Sequence, residues 1–338
     1  MKLRIATRKS ALALAQTTMA ADAIVAANFV ANSAERGKCA AVGDDSLTYE
    51  LVSMMTEGDR RLDKSLASFG GKGVFIKELE IALLENRADI AIHSLKDMPA
   101  EVLPQFKLAA VLKREDPRDA FLSRGGAAGV RFMDLPAGAR VGTGSIRRIV
   151  QLKALRPDIE YVPIRGNIQT RIGKLAELDG VVLAAAGLKR MELADQVTEY
   201  FSTEQVLPAS GQGILAIETL ADADSRHPEQ REGSSEISGN LGQILARAND
   251  VETFCVASAE MAYLKALNAG CQFPVASFAE FVGDTAENLK IRGIYWDEKS
   301  EKLLRAEVAG TVDLSSADSV KQSKELGVAL AQEIKNQL

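Results

Sequence analysis

The residues best suited to chemistry lie in "ARVGTGSIRRIVQLKALRPDIEYVPIRGNIQTRIGKL", residues 139–175, where six arginines and two lysines stand against only Asp158 and Glu160. The chain as a whole is acidic, with a formal net charge of -5, so positive charge is collected here rather than spread. Arg147 and Arg148 fall in the first turn of an expected helix, where cations oppose the helix dipole and are normally avoided. An anion held there by backbone N–H groups and two guanidinium forks makes sense of that placement. A single exposed arginine is ordinarily a solvated charge, worth about 0–1 kcal/mol when paired. Arg147, Arg148, Arg165 and Arg171 together, on successive strand-end loops, point instead to a ligand, because a charge-assisted bond in a cleft gives about 1.5–3 kcal/mol.

Two further stretches carry candidate groups. In "DIAIHSLKDMP" a strand is expected to end near His93, which puts Lys96 and Asp97 on the loop before Pro99. Ligands of open α/β sheets bind at the carboxyl ends of strands; from spacing alone, this pair fits either such a site or a surface salt bridge. In "LNAGCQFP", Gly270 reads as the C′ cap of the preceding helix and leaves Cys271 on the loop beyond it. A lone cysteine is more often a small buried hydrophobe than a nucleophile. The "GGKG" at 70–73 could be a lid or a phosphate cradle, but it lacks the spacing of a P-loop. With two histidines, His93 and His227, and three scattered cysteines, Cys39, Cys255 and Cys271, neither a metal site nor a disulfide framework is expected.

The 338 residues that must position these groups suffice for two or three domains. A content of 46% hydrophobic and 26% charged residues is that of an ordinary globular protein. Strand and helix alternate first: "LRIAT", a helix over 10–31, "YELVSMM", a helix within "GVFIKELEIALLENRA", and "DIAIHSL". The pattern repeats with "RVGTG", a helix over 145–155, "IEYVPI", a helix over 167–177 and "GVVLAAA". This β-α-β grammar implies mostly parallel sheets with helices on their faces. Pro117, Pro136 and "RGGAAG" mark the changeover. After Pro208 come one more strand, "GILAIETL", a polar stretch over 221–240 read as a linker, and a helix over 251–268. Three alternating runs, "PVASFAEF", "LKIRGIYW" and "LLRAEVAGTV", and a closing helix over 316–338 complete a small α+β domain. The N-terminus superficially mimics a secretory leader, but Gln16, Thr17, Thr18 and Asp22 interrupt its apolar run. A strand and a buried helix of a cytoplasmic protein are expected instead.

Taken together, "RIATRKSALALAQ", "GGKGVFIKELEIALLENRADIAIHSLKDMP", "REDPRDAF", "VGTGSIRR", "RGNIQTRIGKL", "AAGLKR", "LPASGQG" and "AGCQFPV" resemble, in order and spacing, the porphobilinogen deaminase (hydroxymethylbilane synthase) family. The likeness spans nearly the whole chain and weakens after residue 283. It implies two α/β lobes like those of type II periplasmic binding proteins, crossed twice by the chain. Here they would be 1–113 with 213–236, and 118–208, followed by a small α+β domain at 240–338. It implies a transferase of tetrapyrrole (haem or chlorophyll) biosynthesis. Four porphobilinogen molecules are condensed, with loss of ammonia, onto a covalently bound dipyrromethane cofactor, and linear hydroxymethylbilane is then released by hydrolysis. By position Cys271 would carry the cofactor through a thioether, and Asp97 would be the catalytic carboxylate at the pyrrole N–H groups. Lys96, Ser145, Arg147, Arg148, Gly166 and Arg171 fall at cofactor-binding positions, and Arg8, Ser10, Lys72, Arg165 and Arg190 at substrate-binding ones. Each pyrrole bears an acetate and a propionate, so the arginines would serve acidic ligand side chains rather than phosphates. Neither metal, nucleic acid nor membrane is implied, and a monomer is expected.

The sequence departs from the family pattern in four respects. Gly144 stands where serine is usual, Met261 where arginine is usual and Val256 where a basic residue is common, while segments 32–46 and 224–239 look longer or more divergent. The changes at 256 and 261 fall on the helix before Cys271, where they bear on docking of the third domain and on cofactor loading. Two other classes compete with an enzyme of this family. A non-catalytic anion-binding module would be served by the two-lobe fold alone. A nucleotide-binding enzyme using "GTGS" or "GGKG" lacks the fingerprint spacing. A simple binder needs no cysteine tether, so Cys271, Asp97 and the arginine set favour the enzyme.

Overall fold

The computed structural model describes residues 1–36, 47–56, 76–223, 240–269, 273–283 and 287–338, the side chains of 31–36 excepted. In the first lobe, β1 (Lys2–Arg8) buries Leu3, Ile5 and Ala6 and takes the second place in a five-stranded sheet. β2 (Thr48–Met54) and β3 (Ile90–Ser94) run parallel to it on either side. β10 (Leu215–Leu220) returns from the far half of the chain and lies antiparallel between β3 and β4 (Phe106–Val111), giving the order β2-β1-β3-β10-β4. Helices α1 (Ala11–Arg36), α2 (Lys77–Leu84) and α6 (Leu241–Ala248) cover the sheet. Ala20, Ala21 and Ile24 of α1, Leu79 and Leu83 of α2, and Leu241, Ile244 and Leu245 of α6 share one core with β1 and β3. By length and hydropathy α1 could cross a bilayer, with a mean of 1.2 over Ala11–Val30; here its buried stripe is spent on this sheet.

The second lobe repeats the arrangement. β6 (Arg140–Gly142) lies between parallel β7 (Glu160–Val162) and β8 (Gly180–Ala184); β5 (Asp119–Ser123), antiparallel to both its neighbours, and β9 (Glu199–Tyr200) complete the order β7-β6-β8-β5-β9. Helices α3 (Ile146–Leu155), α4 (Ile168–Gly173) and α5 (Ala185–Arg190) follow β6, β7 and β8. Phe132 meets Phe121 and Phe201 edge-on in the core, with centroids 5.6 and 5.2 Å apart. The chain passes between the lobes at 112–118 and again at 201–214, the double crossing that the resemblance implies.

The third part is an antiparallel meander of β11 (Val275–Val282), β12 (Asn288–Asp297) and β13 (Lys302–Thr311), backed by α7 (Val251–Ala266) and α8 (Ser319–Lys335). Gly327 of α8 lets the two helices close together, since a Cβ there would collide with the Ala259 carbonyl.

Several local expectations change. Both lobes have mostly parallel sheets, as the alternation implied, each with one reversed strand, β10 in the first and β5 in the second; β4, β5 and β9 escape a reading based on β-α-β alternation because none of them follows a crossover helix. α1 runs to Arg36, into a stretch read as loop. α6 follows the polar stretch and packs in the first core, whereas a boundary at 240 assigned it to the third domain.

Candidate functional site

The described residues singled out for chemistry sit at, or just beyond, the carboxyl ends of parallel strands: Arg8 and Ser10 after β1, Lys96 and Asp97 after β3, Ser145, Arg147 and Arg148 after β6, Arg165, Gly166 and Arg171 after β7, and Arg190 after β8. β3 leads into a 3-10 turn, Leu95–Asp97, whose flanks are pinned. Leu95 and Met98 are buried in an apolar cluster that includes Val256 and Ala259 of α7, and Leu95 N donates to Ile214 O at 3.0 Å. That leaves Lys96 half-buried and Asp97 exposed. Gly211 of the return crossing comes so close that a Cβ on it would lie 2.9 Å from Lys96 N, and its φ of +74° is one that glycine tolerates best.

Arg147 and Arg148 have a protein carboxylate as partner where a ligand was expected. Arg147 donates Nη2 to Asp119 Oδ2 at 2.7 Å and Nη1 to Leu207 O at 2.6 Å; Arg148 donates Nη2 to Asp119 Oδ1 at 2.7 Å and Nη1 to Val182 O at 3.0 Å. Burial works against the charge of Asp119, but the two guanidiniums outweigh it and hold its carboxyl well below the usual range. Burial lowers the pKa of Arg147. The Nε of Arg148 is buried with no acceptor among the described residues. Ser145 precedes α3 without spending its hydroxyl on a capping bond. Gly144 is where it must be for this packing, because a Cβ would stand 2.6 Å from the Ile164 carbonyl on the neighbouring loop.

That loop brings the remaining cations in. Gly166, at φ +105°, offers its carbonyl to Arg171 Nε at 2.8 Å, and Asn167 caps α4 through Thr170 N at 2.8 Å. The pKa of Arg171 is lowered by burial and by the charges of Arg148 and Arg165, with Asp97 opposing. Lys96 is brought down to about 8 by burial, Asp97 partly offsetting this and Arg148 and Arg147 adding to it. These mutual influences put Lys96, Asp97, Arg147, Arg148, Arg165 and Arg171 within one electrostatic neighbourhood. Among these described groups and Asp119, five cations meet two carboxylates. A site with that surplus, and an orphaned guanidinium N–H, suits a ligand carrying several carboxylates, as a dipyrromethane with its acetate and propionate arms would.

Other assigned residues are engaged elsewhere. Arg190 donates to Gly213 O at 2.7 Å, and burial brings its pKa down to about 10. Ser10 accepts from Ala13 N at 3.3 Å at the start of α1. Cys271 and Lys72 lie outside the described residues. Val256 is buried in the apolar cluster and Met261, partly buried, packs against the same cluster, so both departures from the family pattern are absorbed by packing. Asp119 and Gln212 escaped the sequence reading, as did Glu260, which accepts from Arg114 Nη1 at 2.7 Å, Gly211 N at 2.6 Å and Ala279 N at 2.8 Å and so ties both crossings to the third domain. The signal available for them was a set of polar residues inside otherwise apolar or turn-forming motifs.

Comparison with known proteins bears on what such a site serves. The family model described as "Porphobilinogen deaminase, dipyromethane cofactor binding domain" matches residues 3–227, and that described as "Porphobilinogen deaminase, C-terminal domain" matches 254–336. The chain is 43% identical to the porphobilinogen deaminase of Syntrophus aciditrophicus, over 98% of this chain and 94% of the relative. It is 41% identical to that of Sorangium cellulosum, over 99% and 98%. Among solved structures, an arginine-specific periplasmic binding protein of Salmonella typhimurium aligns over 73% of this chain and 91% of its own at 17% identity and a TM-score of 0.36, too low to carry an argument. Sequence likeness over both family models and nearly the full length leaves one conclusion: the chain belongs to the porphobilinogen deaminase family.

Proposed function

We propose that the chain condenses four porphobilinogen molecules, with loss of ammonia, onto a dipyrromethane held as a thioether by Cys271, and then releases linear hydroxymethylbilane by hydrolysis. The observation that carries this reading is the convergence of Lys96, Asp97, Arg148, Arg165 and Arg171 at strand ends in a chain of this family. When bound, the dipyrromethane supplies the nucleophilic pyrrole carbon to which the first substrate is joined. The remaining tasks fall to side chains of the chain itself. The Asp97 carboxylate only accepts hydrogen bonds, so beside a pyrrole N–H it binds more strongly as positive charge builds on the ring when ammonia departs. Its Oδ atoms can then take and return the proton that each new link releases. Arg148, Arg165 and Arg171, with Lys96 and the Ser145 hydroxyl, grip acetate and propionate groups, and Gly166, whose φ of +105° and closeness to Thr170 suit glycine, shapes the loop that carries Arg165 and Arg171. Arg147 acts through Asp119, which it helps to hold against Arg148. Arg8, Ser10 and Arg190, at or beyond the ends of β1 and β8, are assigned to substrate by the family resemblance, as is Lys72, which lies outside the described residues.

We also infer domains at 1–113 with 213–236 and α6, at 118–208 and, after α6, through the C-terminus. A cytoplasmic monomer without nucleic-acid or membrane partners fits this reading; the net charge of -5 supports the absence of nucleic acid. Incubation with porphobilinogen tests the function: four ammonia should appear per linear tetrapyrrole released, and ammonia without tetrapyrrole, or neither, contradicts it.

A further inference from the structure

The return crossing at 209–213 touches every part of the protein that surrounds the site. Ser210 Oγ lies 2.6 Å from Ser277 Oγ of β11, Gly211 N bonds Glu260 of α7, and Gly213 O accepts from Arg190 and from Glu115 N. The long side chain of this segment, Gln212, is 1% exposed. Its amide nitrogen donates to Pro117 O at 2.6 Å, to Arg118 O at 3.3 Å and to Asp119 Oδ1 at 2.9 Å. Those acceptors fix the NH2 side of the carboxamide, so its oxygen faces the other way. There it accepts from Lys96 Nζ at 3.5 Å. The Asp119 oxygen it meets is the one that also receives Arg148. One side chain therefore connects the paired arginines of the second lobe with the ammonium next to Asp97 in the first.

We propose that Gln212 is a positioning residue that couples the lobes, aligning Lys96 with Arg148 across the site. Its chemistry suits the task. Between a carboxylate and an ammonium, a side chain must donate at one end and accept at the other while carrying no charge, and a glutamine does both at this length. A glutamate would repel Asp119, and an apolar side chain would leave buried polar groups unmet. The charged groups that act on Lys96 are Asp97 on its own turn, Arg147 and Arg148 of α3, and Asp119 of β5. The role in turnover rests on the reading of Lys96 and Asp97 given above; the coupling itself does not.

The test is the pH dependence of Lys96 labelling by an amine-reactive reagent on the full-length protein, read by peptide mass, for wild type, Gln212→Met and Gln212→Glu. Wild-type Lys96 should titrate near 8. Gln212→Met removes the acceptor and should lower the midpoint, whereas Gln212→Glu sets a carboxylate against the ammonium and should raise it by about one unit. In Gln212→Met, kcat for porphobilinogen should fall about tenfold, with a smaller change in KM. A Lys96 midpoint unmoved in Gln212→Met overturns the proposal, whatever the activity, and that variant decides alone if Gln212→Glu does not fold. Opposite shifts in the labelling of a protein that does not turn over porphobilinogen would uphold the coupling and refute the functional reading instead.

Discussion

In the first lobe the antiparallel strand beside β3, β10, carries Glu218 to His93, 2.9 Å away, with both side chains almost wholly buried. In the second lobe the strand at the same place in the same order, β5, opens with Asp119, which meets Arg147 and Arg148 at 2.7 Å each. The first pair is one to one and sits against α2, where burial and the charge of Glu218 raise the pKa of Glu80. The second is two to one and sits at the strand ends, where Arg148 shares its field with Lys96 and Arg171. A closed pair is structural only. On the function proposed above, an open one keeps a cation in reserve for an acidic ligand, so that one topology used twice would give two tools: a first lobe that presents a proton-handling turn and a second that grips carboxylates.

This division of labour can be broken or sharpened by variants on each side. The largest effect belongs to the first lobe. Asp97→Ala should lower kcat about a thousandfold with the melting transition intact, because it removes the carboxylate at the ring nitrogens and nothing in the core; near-normal turnover would erase the division. Next comes the open cluster. Asp119→Ala leaves two guanidiniums buried together and should destabilise the protein by about 3–5 kcal/mol in denaturant titrations. The sign with pH follows from a carboxyl held below its ordinary value. Its stabilisation is complete at neutral pH and fades only as pH falls in the acid range, so the variant should lose that acid dependence. Arg148→Leu should raise KM for porphobilinogen about ten- to hundredfold, with a smaller change in kcat; a kcat loss at constant KM would place Arg148 with the chemistry instead. Gly144→Ser restores the residue usual in the family, yet should raise KM by about threefold, because the new Cβ pushes on Ile164 O and the loop that carries Arg165. An unchanged or lower KM would mean that the loop adapts freely.

Much of this arrangement was legible in the sequence. Strand–helix alternation located β1, β3, β6, β7 and β8, and their carboxyl ends located the cleft, because a parallel strand must be followed by a crossover and its exit loop is where side chains can meet a ligand. The antiparallel insertions β5 and β10 gave weaker signals. "DAFLS" is short and fully buried, so it shows no alternation from which to read a face. Asp119 was hidden for the same reason. Its meaning depends on α3 folding back so that Arg147 and Arg148 reach it 28 and 29 residues later, a contact that no local pattern encodes. The arginine cluster stands out in the sequence, but for Arg147 and Arg148 the anomaly is answered inside the protein, by Asp119. Gln212 lies in a turn between lobes, and Lys96 and Asp119 become its neighbours only after the chain has crossed twice.

All of these roles presuppose a polyacid anchored in the cleft by sulfur. The most direct measurement is the mass of the intact protein, purified from a host that makes porphobilinogen, followed by peptide mapping. The account predicts an added mass of two linked pyrroles on the peptide bearing Cys271. An unmodified chain, or an adduct on Cys39 or Cys255 instead, would contradict it.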